Sequence, residues 1–197
     1  RFSLVKDPRH MSYIEYNVDV LMFTLLMKNI CGIFSMNSMT EQFNKEECIK
    51  NIAKVLGNNE LEELPRYDTI NDFLCNLEPA ELEKIREYMI GELFKKRCLE
   101  DYRLLGKYWC IAIDATGLFS FSEKHCEHCL KKEYKNKETG EVERTVYYHN
   151  VLEAKLVVGD MVFSIATEFI ENEDENVEKQ DCETKAFKRL AEKLKNK

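Results

Sequence analysis

The sequence predicts an α+β fold, in which a helical amino-terminal region precedes a short antiparallel sheet and a final helix. Up to Gly106, apolar residues recur at intervals of three and four, the spacing of helices that pack on a core. The period then changes, and residues 108–114, "YWCIAID", form a continuous apolar run of strand length. Two β-rich runs follow, separated by Gly159 and Asp160, and this indicates a tight connection between antiparallel strands.

The first two helices are predicted from their periodicity and their end signals. Residues 12–30 have helical spacing, and Gly32 follows as a natural stop. The second helix begins where Ser38 and Glu41 have the spacing of a capping box, and it ends at Gly57. Its buried face is expected to contain Ile49, Ile52, Ala53, Val55 and Leu56.

Two more helices are predicted before the sheet. Thr69, with Asp72 three residues later, is expected to cap a short helix. Pro79 stands where the first turn of a long helix tolerates proline. The inward residues of the short helix are expected to be Ile70, Phe73, Leu74 and Leu77, and those of the long helix Leu82, Ile85, Met89, Leu93 and Phe94.

The second half of the chain is expected to form the sheet. Its first strand is predicted to lie in the middle of the sheet and to end at Asp114. A polar insertion, residues 122–146, separates this strand from the next two. A helix is predicted over residues 179–197, with Ala186, Leu190 and Leu194 on its inner face. We therefore divide the chain into a helical region, 1–107, and a sheet region, 108–197.

Composition indicates a globular protein with a core. Of the 197 residues, 44% are hydrophobic and 33% are charged. The most apolar stretch, residues 20–27, is far shorter than the roughly 20 residues that a membrane span requires. No signal peptide is recognisable, so we expect a cytoplasmic protein whose eight cysteines are reduced thiols or metal ligands. Because the sequence begins with Arg1 rather than Met and stops within a helical pattern, we expect a fragment.

The charge distribution bears on nucleic-acid binding. A net charge of −7 counts against a general nucleic-acid binder. Residues 124–137, however, carry five lysines against two glutamates, whereas residues 168–183 carry eight acidic residues against Lys179. A solvated face is the usual explanation for either run.

Asp114 is the first candidate for chemistry. A carboxylate at the end of a buried strand is held rigidly and can bind a hard divalent cation. Taken alone, an aspartate at this position is more often a turn former. The strand order favours the metal, because a central strand with a carboxylate, an antiparallel pair and a helix form the opening half of a ribonuclease H-like sheet; other α+β folds share that start.

The second candidate is the cluster "HCEHC". Cys126 and Cys129 have the C-x-x-C spacing with which two thiolates chelate one zinc ion. A structural zinc site needs four ligands, and His149 and Cys182 are the best distant candidates, since they begin the second strand and the last helix. Cys110 is more simply a core residue.

Several blocks of this sequence resemble the amino-terminal half of DDE-type insertion-sequence transposases, which have a ribonuclease H-like catalytic core. The most specific are "IAIDATG" and "KQDCE"; the others are "LPRYDTINDFL", "CEHCL" and "YYHNVLEAKLVVGDMVFSIATEFIENE". The resemblance implies a helical amino-terminal region that helps to bind the DNA ends of the element. It also implies DNA as partner, a homodimer when full length, and catalysis with Mg²⁺ or Mn²⁺.

Asp114 matches the first aspartate of the family's catalytic triad. The resemblance implies that the second aspartate and the glutamate lie beyond residue 197, so that this fragment alone is inactive. Asp160, Asp181 and Glu183 lie in a turn and at a helix start, and we do not assign them to the triad.

Two alternatives remain open. The chain could be a noncatalytic, zinc-stabilised module that binds DNA or protein, or part of another ribonuclease H-like nuclease with a different substrate. Downstream sequence that encodes a strand ending in aspartate and then a helix bearing glutamate would favour the transposase.

Overall fold

The computed structural model of the protein describes residues 2–174 and 176–195. The chain divides into two compact units, Arg1–Met89 and Ile90–Lys197. This division falls earlier than the boundary predicted after residue 107, because Leu93, Phe94 and Leu99 pack in a cluster with residues of the sheet.

Five helices account for most of the amino-terminal half. They are α1 (Val18–Ile30), α2 (Met36–Phe43), α3 (Glu46–Leu56), α4 (Tyr67–Asn76) and α5 (Pro79–Lys95). The first helix starts later than residue 12, because the Asn17 side chain caps it by accepting a hydrogen bond from the Val20 N–H at 3.0 Å.

The helix predicted to begin at Ser38 and end at Gly57 is two helices. Ser35 is the N-cap of α2, accepting from the Ser38 N–H, so the predicted capping box is wrong. Asn44 separates α2 from α3, and its side chain accepts from the Leu64 N–H at 2.7 Å. Gly57 is confirmed as the end of α3, with the left-handed φ of +68° that glycine adopts at low cost.

The predicted cap of α4 is also wrong. The helix begins at Tyr67, and the Thr40 hydroxyl of α2 accepts from the Tyr67 N–H at 2.9 Å. A side chain distant in sequence thus satisfies the first N–H of the helix, and Thr69 lies inside the helix rather than at its cap. Pro79 is confirmed in the first turn of α5.

The core of the first unit lies between its helices. Leu21, Met39, Ile70 and Phe73 are fully buried there. Ile52 and Ala53 are also buried, but Val55 is exposed, contrary to the predicted face of α3. Other large apolar residues predicted to face inward are exposed too: Leu82 and Met89.

The second unit is a four-stranded antiparallel sheet with one long helix. Its elements are β1 (Cys110–Phe121), β2 (Leu130–Lys135), β3 (Val142–Val158), β4 (Met161–Ile170) and α6 (Glu183–Lys195). Strand β3 pairs with β1 on one side and with β2 and β4 on the other. The predicted α+β fold is confirmed, including the three antiparallel strands β1, β3 and β4, the helix after them, and the inserted hairpin with cysteine and histidine.

Helix α6 covers one face of this sheet. Ala186 and Leu190 are fully buried and pack in a cluster with Leu152, Ala154 and Ala166. Leu194 packs partly against the same cluster, as predicted. Asn196 and Lys197, which the predicted helix included, lie outside the described residues.

No helix in the described part of the chain has both the length and the apolar character that crossing a membrane requires.

Candidate metal centre and the strand of Asp114

Asp114 lies within β1, not at its end. The strand continues to Phe121, because its hydrogen-bonded ladder with β3 extends that far. Ile113 and Ala115 pack towards the cluster under α6, so Asp114 points to the opposite face of the sheet. The side chain is exposed, and its Oδ1 accepts from the Ala115 N–H at 2.9 Å.

The position of β1 also differs from the prediction. Among the described residues β1 pairs only with β3, so it forms an edge of the sheet rather than its middle. Asp114 stands directly across from Glu153 of β3, whose carboxylate forms an ion pair with Lys155 at 3.0 Å. Two carboxylates directly opposite each other repel, and the ammonium group of Lys155 beside Glu153 offsets part of that repulsion.

Three of the four predicted zinc ligands come together. The Sγ atoms of Cys126 and Cys129 are 3.6 Å apart, and His149 Nε2 lies 3.3 Å and 3.2 Å from them. The three ligand atoms form the one such group found in the described part of the chain.

The separations fit one small cation. Zinc bonds of about 2.3 Å to sulfur and about 2.0 Å to nitrogen, at tetrahedral angles, separate two sulfurs by about 3.8 Å and sulfur from nitrogen by about 3.5 Å. The observed distances are slightly shorter. Thiolates and imidazole are also ligands that bind zinc well, whereas magnesium prefers oxygen ligands.

The strand register explains how His149 reaches the cysteines. Leu130 of β2 pairs with Tyr148 of β3, so extending the register by one residue places Cys129 opposite His149. Cys126 lies one turn earlier, where the Cys129 N–H donates to the Cys126 carbonyl. The C-x-x-C turn brings the two cysteines together, and the hairpin ladder adds the distant His149.

The two thiols differ electrostatically. Burial raises the pKa of Cys126 above its ordinary value, and the neighbouring thiol adds to the effect. Burial acts in the same direction on Cys129, but backbone hydrogen bonds from Cys126 and His125 outweigh it and lower the pKa of Cys129. Cys129 is therefore the readier of the two to supply a thiolate.

The other candidates lie outside this group. Cys182 is exposed and immediately precedes α6. The His125 ring stacks on Phe121 with centroids 4.6 Å apart. His128 Nδ1 is 2.8 Å from the Asn172 carbonyl oxygen.

Asn172 is a residue that sequence reasoning missed. Its side chain is buried; its Nδ2 donates to the Cys129 carbonyl at 2.9 Å, and its Oδ1 accepts from the Asp181 N–H at 3.2 Å. Its own N–H donates to the His128 carbonyl. Asn172 thus fixes the C-x-x-C turn to the segment before α6. Its place in an acidic stretch typical of exposed loops gave no signal of this role.

Comparison with known proteins gives one family match. The family described as DDE_Tnp_1-associated matches residues 1–89, and the first compact unit ends at the same residue, Met89. The match associates the chain with DDE-type transposases. No curated protein and no solved structure matches the chain.

Proposed function

We propose that the chain is part of a DNA transposase that cuts and joins the ends of an insertion sequence by divalent-metal phosphoryl transfer. The observation that carries the proposal is the match of residues 1–89 to the DDE_Tnp_1-associated family. In this proposal the first unit helps to bind the ends of the element.

The second unit supports the same function through its topology. Strands β1, β3 and β4 are antiparallel and are followed by α6, the order in which a ribonuclease H-like sheet begins. A carboxylate on the first strand suits this role, because the catalytic aspartate of such sheets needs a rigid support.

Asp114 fits as one ligand of Mg²⁺ or Mn²⁺. It is an exposed carboxylate, and one of its oxygens accepts a backbone hydrogen bond that fixes its orientation. Magnesium keeps several waters and is usually held by one or two carboxylates together with substrate phosphates. When bound, the metal supplies charge stabilisation and a lowered pKa for the attacking hydroxyl group. We propose that the other two triad carboxylates belong to the full-length protein outside these 197 residues, so that this chain alone cuts no DNA.

For the thiol-rich group we propose zinc, held by Cys126, Cys129 and His149. This ion would link the C-x-x-C turn to β3, so its role is structural. Cys182 remains a proposed fourth ligand, although it lies outside the group of three. We further propose that the whole enzyme is a cytoplasmic homodimer that binds the transposon ends and the target DNA.

The decisive experiment compares Asp114→Asn with Asp160→Asn in the full-length protein. Both changes remove one negative charge, and Asp160 is exposed in the turn between β3 and β4. We expect Asp114→Asn to reduce strand cleavage by a factor on the order of a thousand or more, with DNA binding retained, because the metal loses an anchoring oxygen. Asp160→Asn should cleave normally. Wild-type cleavage by Asp114→Asn would remove Asp114 from the site.

The cysteine and histidine group favours a second candidate, a noncatalytic module stabilised by zinc. If the protein is such a module, the Asp114→Asn variant should bind DNA or protein as the wild type does. The full-length protein should also cleave no DNA with any divalent metal. Metal-dependent cleavage by the wild-type protein would exclude it.

A further inference from the structure

The hairpin formed by β2 and β3 extends beyond the rest of the sheet. Pairing between β1 and β3 begins at Tyr147, and pairing between β4 and β3 begins at Asn150. Residues 131–135 and 142–146 therefore form a ribbon of two strands, with no third strand beside it among the described residues. At roughly 3.3 Å per residue the ribbon is about 17 Å long.

The charges of the ribbon are sorted by face. Tyr134 and Arg144 are directly opposite each other, and Lys132 precedes Tyr134 on the same face. The Lys132 Nζ lies 5.1 Å from the centroid of the Tyr134 ring, and the Arg144 Cζ lies 6.0 Å from it. We call these three residues the cationic face of the ribbon.

Lys132 and Arg144 differ from the neighbouring Lys131 in whether a carboxylate pairs with them. In residues 2–174 and 176–195, no carboxylate lies within ion-pair distance of Lys132 or Arg144. On the other face, by contrast, the Lys131 Nζ is 2.6 Å from the Glu133 carboxylate. The ribbon thus pairs Lys131 with a carboxylate on one face and leaves the charges of Lys132 and Arg144 available on the other.

This arrangement suits a polyanion with regularly spaced phosphates. The aromatic ring holds both cations near the strand surface, which reduces the entropy they would lose on binding an anion. Tyr134 is partly exposed, so its hydroxyl is able to donate a hydrogen bond to a phosphate oxygen. A two-stranded ribbon also has the width that the major groove of duplex DNA, about 12 Å wide, admits.

We propose that the cationic face of the ribbon, Lys132, Tyr134 and Arg144, contacts the phosphate backbone of duplex DNA. The proposal rests on the proposed function and adds a contact surface to it. The net charge of −7 counted against DNA binding. The proposal answers that objection, because DNA responds to the local charge of the face it approaches, and the cations of this face are not neutralised.

The test is the salt dependence of DNA binding by the full chain. A fluorescent duplex of arbitrary sequence is titrated with wild type, with Lys132→Ala/Arg144→Ala, and with Lys131→Ala/Lys195→Ala, which has the same net charge. The matched control removes two lysines that are paired with Glu133 and Glu192. Zinc content and circular dichroism establish that each variant folds.

Loss of two phosphate contacts should make the slope of log K against log salt shallower by about 1.8 and weaken binding on the order of tenfold at low salt. The matched control should keep the wild-type slope. Lys132→Arg/Arg144→Lys should restore binding, because it keeps both charges. Tyr134→Phe should weaken binding without changing the slope.

An unchanged slope for Lys132→Ala/Arg144→Ala, with DNA still bound, would overturn the cationic face and leave the proposed function standing. Loss of binding to an acidic polypeptide with DNA binding intact would assign the face to a protein partner and overturn the proposal as well. If the wild-type chain and the full-length protein both fail to bind DNA, the proposed function fails with it.

Discussion

Arg189 joins α6 to the segment that precedes it. Its guanidinium is 2.5 Å from Glu168 Oε1 and 2.6 Å from Asp181 Oδ2. Burial acts to raise the pKa of Asp181, but the hydrogen bond from Arg189 and backbone N–H groups of Cys182 and Glu171 outweigh it, so this pKa lies below its ordinary value. The ionised form of Asp181 is therefore favoured by folding.

This pKa shift gives a prediction for Asp181→Asn. A depressed pKa contributes stability that is fully present above the unfolded value of about 3.9 and is lost as the pH falls through the folded value. At neutral pH the variant should be less stable by about 1–2 kcal/mol. The expected loss is this small because solvent screens the partly exposed Arg189, and because Arg189 retains its ion pair with Glu168 in the variant.

Urea unfolding of both proteins between about pH 7 and about pH 3 measures the effect. The free energy of unfolding of wild type should fall more steeply than that of the variant in acid, so that the two curves converge. Parallel curves over the whole range would show that Asp181 contributes no pH-dependent stability.

The turn between β3 and β4 depends on one glycine. Gly159 has a φ of +59°, and a Cβ added there would lie 2.7 Å from Tyr102 Cε1. Gly140, at the end of the β2–β3 hairpin, has a φ of +74° with open space around it. Substituting each glycine by alanine therefore distinguishes two costs: both variants place a side chain in the left-handed region, but only the variant at Gly159 adds a steric contact.

We expect Gly140→Ala to cost about 1–2 kcal/mol, the usual penalty for a side chain in this backbone region. Gly159→Ala should cost about 1–2 kcal/mol more, because the Tyr102 ring must move. Urea denaturation of the two variants measures the difference, and adding Tyr102→Ala to Gly159→Ala should remove the excess. Equal costs at the two glycines would show that the ring yields freely.

Local sequence signals predicted which elements form better than where they end. Period and glycine placement indicated the helices, the strand pair around Gly159 and the inner face of α6. The predicted helix ends are wrong where a side chain distant in sequence forms a hydrogen bond at the end. The Asn44 side chain, between α2 and α3, accepts from the Leu64 N–H, and the Thr40 hydroxyl accepts from the Tyr67 N–H at the start of α4. Such bonds have no signature within a single segment.

The sequence predicts those parts of the candidate metal site whose geometry depends on residues close together in the chain. The C-x-x-C spacing indicated Cys126 and Cys129. His149 was indicated as the start of a strand, which is wrong in detail, because β3 begins at Val142 and His149 lies in its middle. Their meeting depends on the register between β2 and β3, which is a long-range property. For the same reason Asn172 was missed and Asp114 was placed at the end of a strand that continues past it.

At the scale of the whole molecule, the proposed zinc should stabilise one unit of the chain. The three clustered side chains belong to the second unit, whereas the core around Leu21 and Phe73 consists of residues of the first. Protein purified without chelator should contain about one zinc per chain. Removing it should speed amide exchange in residues 126–149 on the order of tenfold or more, with little change in α1 to α4.

Hydrogen exchange with and without EDTA, together with metal analysis, checks this prediction. Cys129→Ser should reproduce the effect of the chelator. Cys182→Ser serves as the comparison: retained zinc would reduce the ligand set to the three clustered residues, and loss of zinc would add Cys182 to it. Metal-free wild-type protein with unchanged exchange would rule out the zinc site.

The central place of β3 has a consequence for synthesis on the ribosome. Among the described residues, β1 and β2 hydrogen-bond to β3 alone, and both precede it in the chain. At about 5–20 residues per second, translation from Cys110 to Val158 takes roughly 2–10 s, and the nascent β1 has no partner in that interval. The strand that carries Asp114 is therefore synthesised before its partner, and during that interval its unpaired N–H and C=O groups can pair with other chains.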